Sequence, residues 1–213
     1  MSKNVFIPII LVLMSPWLYA DTIEIAYKDL YSHLRKLDNE DTQHLQFAFG
    51  FLKVPKKQTL CTITKGEVIT DKQVLPLAIT PEQRFTVPFE KALKMADALV
   101  RIEVDEPKNQ CDMSVQLETT AQWLKHHYSR ADLDIILSQY RNFFNEMGGF
   151  MSFMMPQVTG LQIHFSDESL SQSIADDVSI VAGVLRIDSQ KIKGLTGLSL
   201  PEKPLRITAL TQR

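Results

Sequence analysis

Histidine is the residue type in this sequence best suited to chemistry, because imidazole titrates near neutral pH and binds metal ions. The spacing H-x-x-x-H, which would place two imidazoles on one helix face, is absent. His126 and His127 are adjacent, and neighbours on a helix point about 100° apart, so both rarely serve one ion. His164 alternates with the apolar residues of its segment, which predicts a solvent-facing strand position. Surface positions are therefore predicted for His33, His44, His126, His127 and His164.

Nucleophilic catalysis and phosphate binding find little support in the motifs. The chain has no G-x-S-x-G and no S-x-x-K beyond residue 20, and Ser152 lies in an apolar setting without an identifiable base. The pairs Gly148-Gly149 and Gly194-x-x-Gly197 do not follow a strand and open a helix, as a phosphate loop would. A calcium loop would show alternating oxygen ligands with a glycine turn, and the sequence has no such pattern. We predict no catalytic residue, no cofactor and no metal ion.

Methionine and phenylalanine crowd one short segment at residues 143–155. Three interpretations are open. The segment is a helix end packed into the core, with methionine filling irregular gaps; or its thioethers bind cuprous ion in an oxidising compartment; or it is an apolar surface for an apolar ligand or a partner protein. The core interpretation is favoured. The residues that would form the apolar surface are Phe150, Met151, Phe153 and Met154.

The two cysteines, Cys61 and Cys111, predict a disulfide bond. An even pair in an exported protein is typical of a structural bridge. A redox or metal-binding pair, the alternative, would normally show C-x-x-C spacing, whereas these two lie far apart. Closing a loop of about 50 residues stabilises a fold by roughly 4 kcal/mol in the chain-entropy description.

Residues 1–20 have the pattern of a secretory signal peptide. Lys3 gives a short positive region, residues 5–13 form an apolar run, and Leu18-Tyr19-Ala20 fits the cleavage rule with one large residue. The alternative is an uncleaved anchor, but this stretch is shorter than the roughly 20 residues that a spanning helix needs. No later run of 18 apolar residues occurs. We therefore expect a periplasmic protein without a stable membrane span.

The charge of the mature chain argues against nucleic acid as a partner. The signal peptide removes only Lys3, which leaves 22 basic residues against 25 acidic ones and a net charge near −3. Binding to a phosphate backbone or an anionic membrane surface needs a basic patch. The apolar fraction of 45% and charged fraction of 23% are typical of a globular protein.

The first half of the mature chain predicts one helix and then short strands. Apolar residues at steps of three and four indicate a helix at 26–37, and alternation indicates a half-buried strand at 45–51. Further strands are expected at 58–64, 66–70, 73–79 and 84–87, followed by a helical turn at 88–97 and strands at 98–104 and 111–118. Pro76 makes 73–79 an edge strand. The linker 105–110 predicts a β-hairpin between the last two strands.

The second half predicts longer helices and then strands. Residues 121–128 read as a helix, and Ser129 is a plausible N-cap for a stronger helix at 130–147 that ends at Gly148-Gly149. Strands are expected at 160–165, 179–188 and 204–210. Helix-then-strands thus occurs twice, at 26–118 and 130–210, without a residue-level repeat.

The fold class predicted from these segments is α+β. We expect an antiparallel β-sheet or small sandwich in the N-terminal half, with packed amphipathic helices and further strands in the C-terminal half. Residues 21–213 are expected to form one domain, with a β-rich part at 43–118 and a helix-plus-strand part at 121–213.

The chain also resembles a family of exported gammaproteobacterial proteins, domain of unknown function 2987. The resemblance is carried by the tyrosine-bearing first helix, the Cys61 segment, the stretch FTVPFEKALKMADALVRIEV, the Cys111 strand and PQVTGLQIHF. It covers most of the mature chain and implies export and a shared fold. It implies no activity, cofactor or catalytic residue.

Three hypotheses for the function follow. The first is an exported protein without enzymatic chemistry that binds or scaffolds something in the cell envelope. The second is a carrier or interaction module that uses the Phe/Met surface for an apolar ligand or an envelope protein. The third is an envelope hydrolase with no recognisable motif, which a histidine near a serine or carboxylate in a deep cleft would favour.

Overall fold

The structure is a computed structural model that describes residues 21–54, 59–149 and 156–212. Its α-helices are α1 Tyr27–Leu34, α2 Lys91–Met95, α3 Arg130–Gly148 and α4 Ser189–Gly194. Its strands in the first half are β1 Asp21–Ala26, β2 Leu45–Lys53, β3 Ile63–Ile69, β4 Val74–Pro76, β5 Leu99–Val104 and β6 Cys111–Thr119. Those in the second half are β7 His127–Ser129, β8 Gln157–His164, β9 Gln172–Ala175, β10 Val178–Val181, β11 Val184–Asp188, β12 Gly197–Ser199 and β13 Arg206–Gln212.

An antiparallel sheet in the order β1-β5-β3-β4 forms one layer of the first half. Alternation in β5 turns Val100, Ile102 and Val104 into the core, where each is fully buried. β4 lies at the edge of this sheet, next to β3, as Pro76 predicted. Because β4 is an edge strand, the missing proline N–H costs the sheet little.

β2 and β6 form a separate antiparallel pair. The predicted strand at 45–51 is confirmed, but it is not half-buried. Ala48 and Gly50, on the second face, are as buried as the phenylalanines that alternate with them. Phe85 covers the other edge of β2 through two backbone hydrogen bonds with Phe49, of 2.8 and 2.9 Å. β2 therefore has neighbours along both edges.

The predicted hairpin between 98–104 and 111–118 is wrong. Both strands exist, but β5 pairs with β1 and β3, whereas β6 pairs with β2 in another sheet. The linker 105–110 crosses between the layers. The side chain of Asp21 accepts a hydrogen bond from the backbone N–H of Lys108 at 3.0 Å and holds the linker against β1. Linker length alone does not reveal such a crossing.

The second half is built around a five-stranded antiparallel sheet in the order β13-β8-β11-β10-β9. The predicted strand at 179–188 is two strands, since Ala182 and Gly183, with φ of 49° and 70°, turn the chain into a hairpin. β9 lies in the segment 166–177, where we predicted no strand. β7 pairs with β12 in a small second sheet.

The predicted helix at 121–128 is wrong. Residues Ala121–Trp123 make one 3₁₀ turn, and His127–Ser129 form strand β7. The hydroxyl of Tyr128 accepts from the Lys125 N–H at 2.7 Å and donates to the Trp123 carbonyl at 2.9 Å, which closes a compact loop. Pairing with β12 holds His127–Ser129 in an extended conformation. This pairing, across about 70 residues of sequence, overrides the helical pattern of 121–128.

The helix predicted from the Ser129 cap is confirmed as α3. Ser129 and Asp132 form a reciprocal capping box, in which the serine hydroxyl accepts from the Asp132 N–H at 3.1 Å. The buried face includes Tyr140, whose hydroxyl donates to the carbonyl of Ile207 in β13 at 2.7 Å and lies 3.3 Å from the Thr119 hydroxyl in β6. The middle of α3 is therefore tied to both halves of the chain.

The two halves repeat one arrangement of elements. In the first, β1 runs directly into α1 and then β2; later β5 pairs with β1 and β6 pairs with β2. In the second, β7 runs directly into α3 and then β8; later β12 pairs with β7 and β13 with β8. All four pairings are antiparallel. The equivalent strands β6 and β13 pack on each other, the contact that an approximate two-fold axis between the halves would produce.

The structure therefore confirms a mixed helix-and-strand fold with antiparallel sheets. The packed helices expected in the C-terminal half are represented by α3, since α4 has only six residues. Buried apolar side chains of both halves form one continuous cluster. Within the described ranges no helix is long and apolar enough to cross a membrane.

Candidate ligand-binding cleft

A cleft of about 720 Å³ opens where the two halves of the chain meet. One wall comes from β2 and the turn at 80–84 of the first half. The other comes from the ends of β8 and β13 and the β10–β11 turn of the second half. The charged and titratable side chains that line it are Glu82, Arg84, His164, Glu168 and Arg206.

The strand register places the principal polar groups of the cleft side by side. His164 ends β8, and its neighbours across the sheet are Val184 in β11 and Arg206 in β13. Cross-strand partners point to the same face, so these three side chains form one row. The predicted alternation of the strand is confirmed, since Leu161 and Ile163 are fully buried on the opposite face.

His164 is nevertheless half-buried rather than solvent-facing as predicted, because the turn at 80–84 of the first half covers this end of the sheet. Periodicity within β8 reports which side chains share a face. It does not reveal that a distant segment covers the second face.

Arg206 links the two walls. One guanidinium nitrogen, Nη1, forms an ion pair with Glu82, and the two side chains are only 18% and 23% exposed. The other, Nη2, lies 3.2 Å from Nδ1 of His164. Since arginine only donates hydrogen bonds, Nδ1 of His164 is the acceptor, which requires a neutral ring with its proton on Nε2. The remaining donor, Nε, is buried and has no partner in the described part of the chain.

The turn that carries Glu82 is held firmly. Gln83 has a φ of 58°, its N–H donates to the Thr80 carbonyl at 2.9 Å, and its side-chain oxygen accepts from the Ile63 N–H at 2.7 Å. A Cβ at Gly50 would lie 2.9 Å from the Gln83 carbonyl oxygen. Gly50 in β2 therefore allows the turn to approach closely. The hydrogen bonds of the turn hold Glu82 opposite Arg206.

Arg84 extends from the same turn in the other direction. Its Nη1 donates to the Ala48 carbonyl at 3.5 Å. Burial lowers the pKa of Arg84, and the charge of Glu118 opposes this effect. Burial also raises the pKa of Glu118, against a 2.9 Å hydrogen bond from Gln46 and the charge of Arg84. Both arginines line the cleft, but Arg84 is engaged with its own half, whereas Arg206 links the two walls.

Electrostatics at His164 agree with the neutral ring that its hydrogen bond requires. Burial lowers its pKa from the ordinary 6.5, and the nearby charge of Arg186 lowers it further. Burial likewise lowers the pKa of Arg206, although an arginine stays protonated at neutral pH. The cleft therefore presents the half-buried Arg206 paired with Glu82, the neutral imidazole of His164, the guanidinium of Arg84 and the exposed carboxylate of Glu168.

The chemistry of these groups is that of binding. Arg206 and Glu82 offer charge-assisted hydrogen bonds, and the imidazole of His164 is already an acceptor for Arg206. The hydroxyl of Ser166, at the rim, donates to Glu202 at 3.2 Å. None of these contacts pairs a nucleophile with a base, so they do not favour the hydrolase hypothesis.

A second histidine does lie beside a serine. Nδ1 of His127 is 3.1 Å from the hydroxyl of Ser199, its direct neighbour across the β7–β12 pair. Both residues are exposed, and in residues 21–54, 59–149 and 156–212 no carboxylate hydrogen-bonds to His127. The pair is an ordinary cross-strand contact without the third group that orients a catalytic base.

The predicted bond between Cys61 and Cys111 is present, with Cα atoms 6.2 Å apart. It joins the segment before β3 to the start of β6 and lies within the first half. A carboxylate oxygen of Glu106 lies within 4.8 Å of both sulfurs. That carboxylate is engaged by Lys53 at 2.5 Å and by the Thr62 N–H at 2.8 Å. Bridged sulfurs are not thiolates, so this cluster is a disulfide with a neighbouring ion pair.

The other predicted positions are scattered. His33 is half-buried rather than on the surface as predicted, and its ring meets Phe47 edge-on, with ring centroids 6.0 Å apart. His44 is half-buried against Trp123 at 4.1 Å rather than on the surface, and burial lowers its pKa. His126 and His127 are exposed as predicted. The proposed apolar surface, Phe150, Met151, Phe153 and Met154, lies outside the described residues and stays a prediction, as does the role of Ser152.

Sequence reasoning missed Glu82, Arg84 and Arg206. Two of them stand in segments predicted as strands, 84–87 and 204–210, where a lone arginine amid apolar residues is a weak signal of a buried charge. Nothing in the sequence indicates that the first segment meets the second across about 120 residues. The cleft depends on that meeting.

Comparison with known proteins identifies one family. The family described as "Protein of unknown function (DUF2987)" matches residues 19–165, which covers the first half of the fold and extends through β8. No curated protein and no solved structure matches the chain.

Proposed function

The chain belongs to the DUF2987 family of proteins of unknown function, and we propose that it is an exported binding protein of the cell envelope, without enzymatic chemistry, whose ligand occupies the cleft between its two halves. The observation that carries this proposal is the half-buried Arg206, with its Glu82 and His164 partners, in a cleft of about 720 Å³. Small-molecule sites are typically 300–1,000 Å³ and combine apolar walls with few polar groups.

Two further features support the setting of this proposal. The pattern of residues 1–20 is that of a secretory signal, and the Cys61–Cys111 disulfide is compatible with an oxidising compartment such as the periplasm. A binding role needs no reactive constellation. The Arg206 group lies where two repeated units meet, a common place for ligand sites.

The test is retention of small molecules by the purified mature protein. Wild-type protein and Ser166→Trp would each be dialysed to equilibrium against a deproteinised extract of the source cells, and retained compounds identified by mass spectrometry. Ser166 is exposed at the cleft rim, so the indole fills the mouth without disturbing the core. We expect a compound that wild type retains and Ser166→Trp does not.

The matched control is Ser138→Trp, an exposed serine on α3 that does not line the cleft. It should retain the same compounds as wild type. Identical retention by wild type and Ser166→Trp would contradict a ligand in the cleft, as would the absence of any retained compound.

A further inference from the structure

We infer that the ligand of the cleft is a small organic anion with an apolar body, and that its anionic group binds the guanidinium of Arg206. This inference rests on the proposed function and adds the chemical class of the ligand. Its starting point is the hydrogen-bonding state of Arg206 in the described structure.

Arg206 has a donor that nothing satisfies. Its Nε is buried, yet no acceptor in the described residues reaches it. A buried donor without a partner costs about 1–3 kcal/mol, and more when the group is charged. Native proteins rarely keep such a donor without a ligand, ion or water to accept from it. The Arg206 side chain is 18% exposed, so an acceptor bound in the cleft reaches the Nε–H once the guanidinium turns toward it, and that contact removes this cost.

The arrangement around Arg206 favours a negative acceptor. Charge-assisted hydrogen bonds are roughly twice as strong as neutral ones, and the planar fork of arginine matches carboxylate-like groups. The one protein carboxylate on Arg206, Glu82, pairs with Nη1. Arg84, the second arginine of the cleft, lies in the field of Glu118. Glu168, the other carboxylate of the lining, is exposed, whereas a cationic ligand at Arg206 itself would meet a carboxylate that is already paired.

The rest of the lining is suited to an apolar body. Leu52, Leu60 and Leu205 line the cleft and are half-buried. These side chains come from both halves of the chain, as do Glu82 and Arg206. A ligand with a polar end at Arg206 and an apolar remainder therefore contacts both walls at once.

Two fluorescent probes with nearly the same aromatic body test the class. Anilinonaphthalene sulfonate carries an anionic group, and phenylnaphthylamine is its neutral counterpart. We expect the mature protein to bind the anionic probe about 10-fold more tightly, the equivalent of one charge-assisted bond. Arg206→Lys, which keeps the charge but loses the fork, should reduce this preference, whereas Arg186→Lys, on an exposed β11 position outside the cleft, should not.

Glu82→Gln supplies a change in the opposite direction. Removing the carboxylate that competes for Arg206 should tighten binding of the anionic probe several-fold and leave the neutral probe unchanged. Since partial unfolding raises the binding of both probes, the ratio of their dissociation constants separates the charge effect from a damaged fold.

Each outcome decides one of the two proposals. Equal affinity for the two probes, failure of both to bind, or a preference that Arg206→Lys leaves intact, overturns the anionic class. If both probes bind equally and Ser166→Trp abolishes both, the cleft remains a binding site with another specificity. If both probes bind and Ser166→Trp has no effect on either, the probes bind elsewhere. This result would contradict the proposal that the cleft is the binding site.

Discussion

At the scale of single residues, the least expected feature is a neutral histidine that accepts a hydrogen bond from a half-buried arginine. His164 and Arg206 are 3.2 Å apart, and a protonated imidazole has no lone pair for the guanidinium. Protonation would therefore replace a hydrogen bond by a repulsion between two cations. The lowered pKa of His164, caused first by burial and then by Arg186, has this consequence for the folded state.

We predict that His164 makes the protein less stable in mild acid. Its pKa is 6.5 in the unfolded chain and lower in the folded one, so the unfolded state binds the proton first as the pH falls. The stability contribution is complete above about pH 6.5 and is lost as the pH falls through the folded-state pKa. In His164→Asn, whose amide oxygen still accepts from Arg206, urea denaturation at a series of pH values should give a shallower loss of stability.

His44 also has a lowered pKa. Because His44 is present in both wild type and His164→Asn, the difference in their pH dependence of stability reports on His164. The same pH dependence in wild type and His164→Asn would contradict the neutral, hydrogen-bonded ring.

Some single-residue features could be predicted from the sequence because their physics is local or combinatorial. The Ser129 cap needs only Asp132 three residues later, and a chain with two cysteines has one possible intramolecular pairing. Glu82 and Arg206 were not predictable, since their roles arise from contact between segments that are remote in sequence.

At the scale of elements, β8 is the strand on which the second half depends, because it lies between β13 and β11 and ends at the cleft. Gly160 allows the close approach of β11. A Cβ there would collide with the carbonyl of Ile187 and lie 2.7 Å from Cα of Asp188. Backbone atoms cannot move aside as the end of a flexible side chain can.

We therefore predict that Gly160→Ala destabilises the protein by about 1–3 kcal/mol, the usual cost of overpacking, measured as a shift of the urea midpoint. The matched control is Gly194→Ala at the end of α4, where a Cβ meets nothing within 4 Å. It should be neutral or slightly stabilising, since alanine favours helix. Equal midpoints for the two variants would contradict the close strand approach.

Elements were predicted well where a periodic pattern extended over many residues. They were predicted poorly where strand pairing with a remote segment determined the secondary structure. α3 has 19 residues and β5 a clean alternation, and both are where we expected them. We predicted no strand where β1 lies and a helix at 121–128, because short segments carry too few residues to distinguish the helical period from the strand period. Their strand identity comes from partners β5 and β12, which lie about 70 to 80 residues away.

At the scale of the whole molecule, the repeated arrangement of elements explains where the cleft lies. The sequence showed helix-then-strands twice but no residue-level repeat. The structure shows that equivalent strands pair alike and that β6 packs on β13. Two units that meet in this way bury a continuous core on one side and leave a concave boundary on the other. Glu82 comes to that boundary from one unit, and His164 and Arg206 from the other.

The central claim, that this boundary binds a ligand, predicts which histidine senses the ligand. The measurement is a nuclear magnetic resonance titration of residues 21–213, labelled only in the five histidines, with anilinonaphthalene sulfonate. We predict a saturable shift of the His164 ring resonances in wild type, while those of His126 and His127 stay in place. A shift at His126 and His127 with His164 unmoved would contradict the claim.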